Sequence, residues 1–236
     1  MKPVAVLQFY RLDGVGFFGE HLRGRGVPMR VFDLFDGEAA PSGLEAFGGL
    51  CLLGGPASVN DEWVALRDGE RLIREALRTD VPVFGHCLGG QLMSRALGGT
   101  VVRAPCAEVG WSQIEARDEA LARHWLGRAR FPMFQWHNET FSVPAAAQLI
   151  ATGTHCPNQA FAIGTLHLGV QFHCEIDRDK IDAWLRKPES DDIERYAGSP
   201  AVQDVETIRA GMQAHLAAAQ QAAAFMYDRW LQRLAS

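Results

Sequence analysis

The feature that most constrains this chain is the alternation of short apolar runs with helix-like segments over its first hundred residues. Residues 4–9, 50–53 and 81–85 are almost continuously apolar, and 29–35 reads as a further strand. Strands that alternate apolar and polar residues keep one wet face, whereas strands apolar throughout are buried on both. Between these runs, 18–24, 62–78 and 88–97 read as helix. Within 62–78, Val64, Leu66, Leu72, Ile73, Ala76 and Leu77 suit helical spacing better than a strand. Strand and helix in this order predict an α/β fold: a mostly parallel central sheet with helices on both faces. Such sheets bind ligands beyond the carboxyl ends of their strands. Here those ends carry Gly54-Gly55-Pro56 and Gly85-His86-Cys87-Leu88-Gly89-Gly90-Gln91.

The middle of the chain is richer in strands, with candidates at 100–103, 111–116, 131–135, 148–152, 160–163 and 168–172 and a short helix at 119–126. A helical piece at 177–185 is followed by a polar stretch, with Pro188, Gly198 and Pro200, that reads as a loop. The charge run 189–195 is most simply a solvated part of that loop. From 201 to 234 the pattern is helical: Val205, Ile208, Met212, Leu216, Ala219, Ala223, Met226, Trp230 and Leu234 recur at threes and fours. This apolar stripe must be covered by the chain's own sheet or by a second copy in a homodimer.

Composition removes several function classes. Apolar residues are 47% of the chain, enough for a sizeable core, and the net charge is −5 with no strong basic block. Nothing therefore points to nucleic acid. No apolar stretch reaches the length of a membrane span or a signal peptide core, so a soluble, cytoplasmic protein without membrane contact is expected. Five scattered cysteines, with no C-x-x-C pair, read as thiols. Three follow a histidine, at His86-Cys87, His155-Cys156 and His173-Cys174. Neighbours on a strand point to opposite faces, so such a dipeptide is a poor bidentate ligand, and no metal or cofactor is expected.

The chemistry concentrates in two segments. Gly85-His86-Cys87-Leu88-Gly89 has the form G-x-C-x-G between an apolar strand and a helix, the cysteine counterpart of a nucleophile elbow. The turn is sharp enough to demand glycine on either side, and it stands the thiol at a helix N-terminus, where the dipole favours thiolate. The second segment is Gln171-Phe172-His173-Cys174-Glu175, at the end of a predicted strand. In extended geometry His173 and Glu175 leave the same face. A carboxylate so placed can orient a histidine base and stabilise its cation. The remaining histidines, His21, His124, His155, His167 and His215, show no partner in the sequence, and Trp63, Trp111 and Trp184 read as packing.

Taken together, Gly54-Gly55-Pro56, the elbow and the Gln171–Glu175 segment resemble the class I glutamine amidotransferases of Cys-His-Glu type, over roughly residues 4–185. Ser58-Val59-Asn60-Asp61-Glu62, Glu108-Val109-Gly110-Trp111 and Gln135-Trp136-His137 are similar to the stand-alone branch related to the glutaminase domain of GMP synthase. The resemblance implies a flavodoxin-like fold for an amidotransferase domain over 1–200, to which the helical pattern adds an extension over 201–236 packed on the same domain. It implies Cys87 as nucleophile, His173 as general base and acid, and Glu175 as the orienting carboxylate. Gly55 and Leu88 would supply the oxyanion N–H groups, and Gln91, Gln135, Trp136 and His137 would bind the amino-acid end of the substrate. Two departures stand out: Cys174 replaces a frequent proline, and Asn138-Glu139 follow Trp-His where aspartate is common.

The implied reaction is hydrolysis of the γ-amide of glutamine, or of a γ-glutamyl compound, through a cysteine thioester. No ATP-binding pattern is visible, so ammonia would pass to a separate synthetase subunit, or the chain would act alone as a γ-glutamyl peptide hydrolase. A non-catalytic binding or regulatory subunit is the alternative from another class.

Overall fold

A computed structural model describes residues 1–186 and 189–234. Among the described residues one mixed sheet runs through the molecule, in the order β10-β5-β7-β8-β9-β4-β3-β1-β2, with β6 paired to β5. The expected apolar runs form β1 (Val4–Gln8), β2 (Met29–Asp33), β3 (Gly49–Leu52) and β4 (Val83–His86). These pair in parallel, and β9 (His167–Val170) joins β4 in the same sense. β1, β3 and β4 are buried throughout, the pattern of strands covered on both faces.

On one face lie α2 (Val64–Arg78) and α3 (Leu88–Ala96), closing a core of Leu7, Leu50, Leu72, Ile73 and Leu92. On the other lie α1 (Gly16–Gly24), α4 (Ala120–Leu126), α5 (Arg178–Trp184) and the long α7 (Val205–Leu231), with Phe18, Phe84, Trp125, Phe172 and Trp230 in the core beneath. The sequence's apolar stripe in α7 is thus covered by the chain's own sheet: Ile208, Met212, Ala219, Ala223, Met226 and Trp230 are buried.

The sheet's second half differs from expectation in extent. The runs expected at 100–103 and 111–116 belong to one strand, β5 (Val101–Ala116), whose register shifts between Arg103 and Glu108. Pro105 lies in that interval and has no N–H to give the ladder. Its antiparallel partner β6 (Arg130–Phe141) carries Gln135, Trp136 and His137 inside the strand, opposite Gly110, Val109 and Glu108. β7 (Gln148–Gly153) and β8 (Ala160–Ile163) complete the antiparallel run to β9.

The C-terminal region needs two corrections. Ala201–Val202 are not helical but form β10, pairing in parallel with Glu108 and Val109. The helix starts after Asp204, whose Oδ1 accepts the Thr207 N–H at 2.7 Å, an N-cap commonly worth about 1 kcal/mol. The stretch read as an open loop contains a short helix, α6 (Asp191–Arg195).

Candidate active site

The end of β4 turns directly into α3, with Cys87 at the turn. Cys87 has φ +46° and ψ −106°, outside the regions open to most L-residues. Strain of this kind costs about 1–3 kcal/mol and persists where the surroundings enforce it. Here the Cys87 N–H donates to Val170 O at 2.9 Å. A Cβ on Gly85 would lie 2.6 Å from the Gly89 carbonyl carbon, and one on Gly89 would strike the Leu52 backbone. The two glycines are what allow strand, turn and helix to approach so closely.

His173 is brought in from past the end of β9. Its N–H donates to Phe134 O at 2.8 Å, bridging it to β6. Its Nδ1 lies 2.7 Å from Glu175 Oε1, and its ring packs edge-on against Trp184 at 4.8 Å. With Nδ1 engaged, Nε2 is the nitrogen left for the Cys87 sulfur, an assignment of tautomer made from the network. Burial opposes charge on His173, yet Glu175 and the Cys87 sulfur prevail and hold its pKa well above the usual histidine value.

Glu175 is fully buried and has a second partner that sequence reasoning missed. Lys180 of α5 places Nζ 3.0 Å from Glu175 Oε1, donates to Gly14 O at 2.7 Å and pairs with Asp13. Burial would raise the Glu175 pKa, but Lys180 and then His173 hold it well below the usual range. For Lys180, burial acts downward and the two carboxylates carry it upward. Asp13 itself is raised, mainly by burial. Asp13 and His173 both crowd Gly54, where a Cβ would fall 2.8 Å from His173 Cε1 and collide with the Asp13 carboxylate.

Cys87 and His173 open onto a cleft of about 400 Å³ that is also lined by Gly55, Gln91, Trp136 and His137. Leu88 is the first residue of α3, so its N–H is one of the helix's free amides. A Cβ on Gly55 would lie 3.4 Å from the Leu88 side chain, so the two oxyanion candidates are neighbours. Gln91 donates to Glu139 O at 3.2 Å and to Gln171 Oε1 at 3.3 Å, while Gln171 Nε2 reaches the Cys87 sulfur at 3.6 Å. Gln171 belongs to the motif already singled out, but its contact with sulfur needed the fold.

Gln135 departs from expectation. Its side chain is drawn away from the cleft to Ser112 Oγ at 2.9 Å and Gln159 Oε1 at 3.1 Å. His137 meets Glu108, its direct partner across the strands, at 3.0 Å. The charge run 189–195 also departs from its reading as solvated loop: Glu189, Asp192 and Arg195 line the cleft, with Tyr196 beside them. Tyr10 donates to Glu189 Oε1 at 2.5 Å, Trp136 Nε1 to Asp192 at 3.2 Å, and Asn138 to the Tyr196 hydroxyl at 2.5 Å. The hydrogen bond to Glu189, with burial second, pushes Tyr10 up to about 12.

Among the described residues, three groups of side chains bring metal-ligating atoms within 4.8 Å: His86, Cys174 and Glu175; Glu108, His137 and Cys156; and Asp13, His173 and Glu175. Each is threaded by hydrogen bonds or ion pairs within the protein. All five cysteines are free thiols. The assembled site therefore offers a thiol at a helix N-terminus, a histidine whose charged form is stabilised, and the free amide of Leu88 with Gly55 beside its side chain. Those are the requirements of acyl transfer through a covalent intermediate.

Residues 20–185 match the class-I glutamine amidotransferase family. A crystal structure of a glutamine amidotransferase from Methylobacillus flagellatus superposes with a TM-score of 0.94 at 34% identity, covering 100% of this chain and 96% of that one. One from Thermotoga maritima gives 0.82 at 26% identity, covering 98% of each chain. Among curated sequences, the glutamine amidotransferase-like protein YfeJ of Salmonella typhimurium is 25% identical over 84% of this chain and 85% of its own length. The glutamine-hydrolysing GMP synthase of Aeropyrum pernix is 29% identical over 70% of this chain, which spans only 32% of that enzyme.

Proposed function

Because this chain belongs to the class-I glutamine amidotransferase family, we infer that it hydrolyses the γ-amide of glutamine or of a γ-glutamyl compound, with Cys87 as nucleophile. The observation that carries this reading is the buried line Cys87, His173, Glu175 opening onto the cleft. The Cys87 thiolate attacks the γ-carbonyl, and the developing oxyanion is received by the N–H groups of Gly55 and Leu88. One such donor is commonly worth about 10²–10³ in rate. Collapse breaks the C–N bond, and His173 Nε2–H protonates the departing ammonia or amine. The same nitrogen then takes a proton from water, whose oxygen displaces the thiolate from the thioester and leaves a γ-carboxylate. Gln91, Trp136 and His137 border the space for the α-amino and α-carboxylate end, and Gln135 acts behind them through Ser112 and Gln159.

The family's ammonia goes to a synthetase in GMP synthases, of which this chain matches the smaller part. A separate synthetase subunit would be its partner if the same use holds here. A self-sufficient hydrolase of γ-glutamyl peptides is the second reading. It is favoured by a cleft whose lining extends beyond the motifs to Glu189, Asp192, Arg195 and Tyr196.

The test is kcat/KM of the purified chain for glutamine and for a γ-glutamyl peptide, with Cys87→Ala, His173→Ala and Glu175→Gln alongside. The first two variants should lose nearly all turnover, because the residues act as a unit. Glu175→Gln should keep some. Wild-type kcat in His173→Ala would refute the assigned base. Rapid alkylation of Cys87 without turnover of either substrate would refute self-sufficient hydrolysis and favour the partner-dependent or regulatory subunit.

A further inference from the structure

Two of the three His-Cys dipeptides flank the residues assigned to the chemistry, and the fold joins them from behind. In His86-Cys87 and in His173-Cys174 one member faces the cleft. The other, His86 or Cys174, points to the opposite side of the sheet, beneath α7. There the Tyr227 hydroxyl of α7 lies 3.1 Å from His86 Nε2 and donates to Cys174 Sγ at 3.4 Å. His86 Nδ1 lies 3.7 Å from Cys51 Sγ and 3.4 Å from Leu52 O. With the Tyr227 proton directed to Cys174, its oxygen accepts from His86 Nε2–H, and Nδ1 is free to accept from the Cys51 thiol. The chain of donors runs from β3 through β4 and α7 to the segment after β9.

We propose that Tyr227 is a positioning residue: its hydroxyl ties the residue before the nucleophile to the residue between His173 and Glu175, and so sets the distance between Cys87 and His173. The proposal rests on the assignment of Cys87 and His173 made above. Its force comes from geometry. Cys87 and His173 approach from different strand ends, and tenths of an ångström between them decide proton transfer. The backbone ties the two ends through the β4–β9 pairing and the Cys87 N–H on Val170 O, and seats the His173 N–H on Phe134 O. Tyr227 is a side chain that grips both ends at once.

The anchor is rigid. Tyr227 is fully buried, and its ring packs at 5.0 Å from Phe18 and 5.2 Å from Phe84. Its helix is held at the same turn by Asp228, which pairs with His21 at 2.8 Å and Arg25 at 2.6 Å. The groups around it stay neutral near pH 7. Burial lowers His86 to about 4 and holds Cys51, Cys174 and Tyr227 above their ordinary values. Glu175, Lys180, Asp13 and His173 are the titratable groups that act on this cluster from the cleft side.

The experiment compares Tyr227→Phe with Trp230→Phe in the full chain. Both keep an aromatic ring in α7, and both should lower Tm modestly; only Tyr227→Phe removes the grip. Iodoacetamide alkylation of Cys87, followed by peptide mass spectrometry, needs no substrate and so reads the geometry independently of turnover. Tyr227→Phe should slow it about tenfold and lower kcat about tenfold with KM unchanged, equivalent to about 1.4 kcal/mol. Trp230→Phe should leave both rates at wild-type values. Wild-type or faster alkylation in Tyr227→Phe overturns the proposal, as does equal slowing in the two variants. Failure of the underlying assignment has a different signature: turnover that survives Cys87→Ala.

Discussion

Replacing Lys180 by methionine removes the cation from the most densely charged buried point in the molecule. The Lys180, Asp13 and Glu175 side chains are 5%, 2% and 0% exposed, so water screens the loss hardly at all. Methionine matches the length of the lysine stem but leaves two buried carboxylates facing each other. Removing one partner of a buried pair costs about 3–5 kcal/mol. In a chain of this size each kcal/mol moves Tm by about 2–4 °C, so differential scanning calorimetry should show a fall of about 6–20 °C. Asp13→Asn in the Lys180→Met background removes the second carboxylate and leaves Glu175 with His173 as a one-to-one pair. That double variant should be more stable than Lys180→Met, with a coupling of about 0.5–3 kcal/mol. A Lys180→Met variant that melts within about 2 °C of wild type, or a second substitution that simply adds its own cost, would refute the role of Lys180 as the shared buried counter-ion.

Ending the chain before Val205 should uncover the sheet face now closed by Ile208, Met212, Ala223, Met226 and Trp230. Size-exclusion chromatography should then show aggregation, and a soluble monomer with unchanged melting would refute a structural role for α7. Stability should also fall with acid in a defined window. Burial lowers both His86 and His167 to about 4 from 6.5, so between those values the unfolded chain binds more protons. Their contribution is complete above pH 6.5 and is lost as pH falls toward 4, at up to about 3 kcal/mol each. Urea midpoints measured from pH 7 to pH 4.5 should decline accordingly, and a flat profile would refute the buried neutral state of both rings.

The parallel half of the sheet was legible in the sequence because burial on both faces leaves uninterrupted apolar runs that little else produces. The elbow was legible for a similar reason. Glycines at 85 and 89 around Cys87 answer a close approach of backbone that no other residue tolerates. The antiparallel half was read as shorter pieces because Pro105 and the polar residues near it break the pattern, while β5 continues past them through a register shift. Gln135 was placed in the substrate pocket with its neighbours. Its amide instead reaches Ser112 and Gln159, partners that only the fold brings beside it.

What stayed hidden are the partners that come from far along the chain. Asp13, Lys180 and the run 189–195 are ordinary charged residues in the sequence, and charged residues are ordinarily solvated. Nothing local marks Lys180 as buried, since it sits in a short helix beside exposed acids. Its environment is made by Gly14, Asp13 and Glu175, which the fold alone brings together. The same holds for the run 189–195, whose acidic residues carry no local sign that Trp136 Nε1 donates to Asp192 and Tyr10 to Glu189. The line from Cys87 to Glu175 is carried by motifs, whereas Glu189, Asp192 and Arg195 lie outside them and border the same cleft. The hydrogen bonds that Glu189 and Asp192 accept from Tyr10 and Trp136 make that border part of the cleft's shape, which the motifs alone do not define.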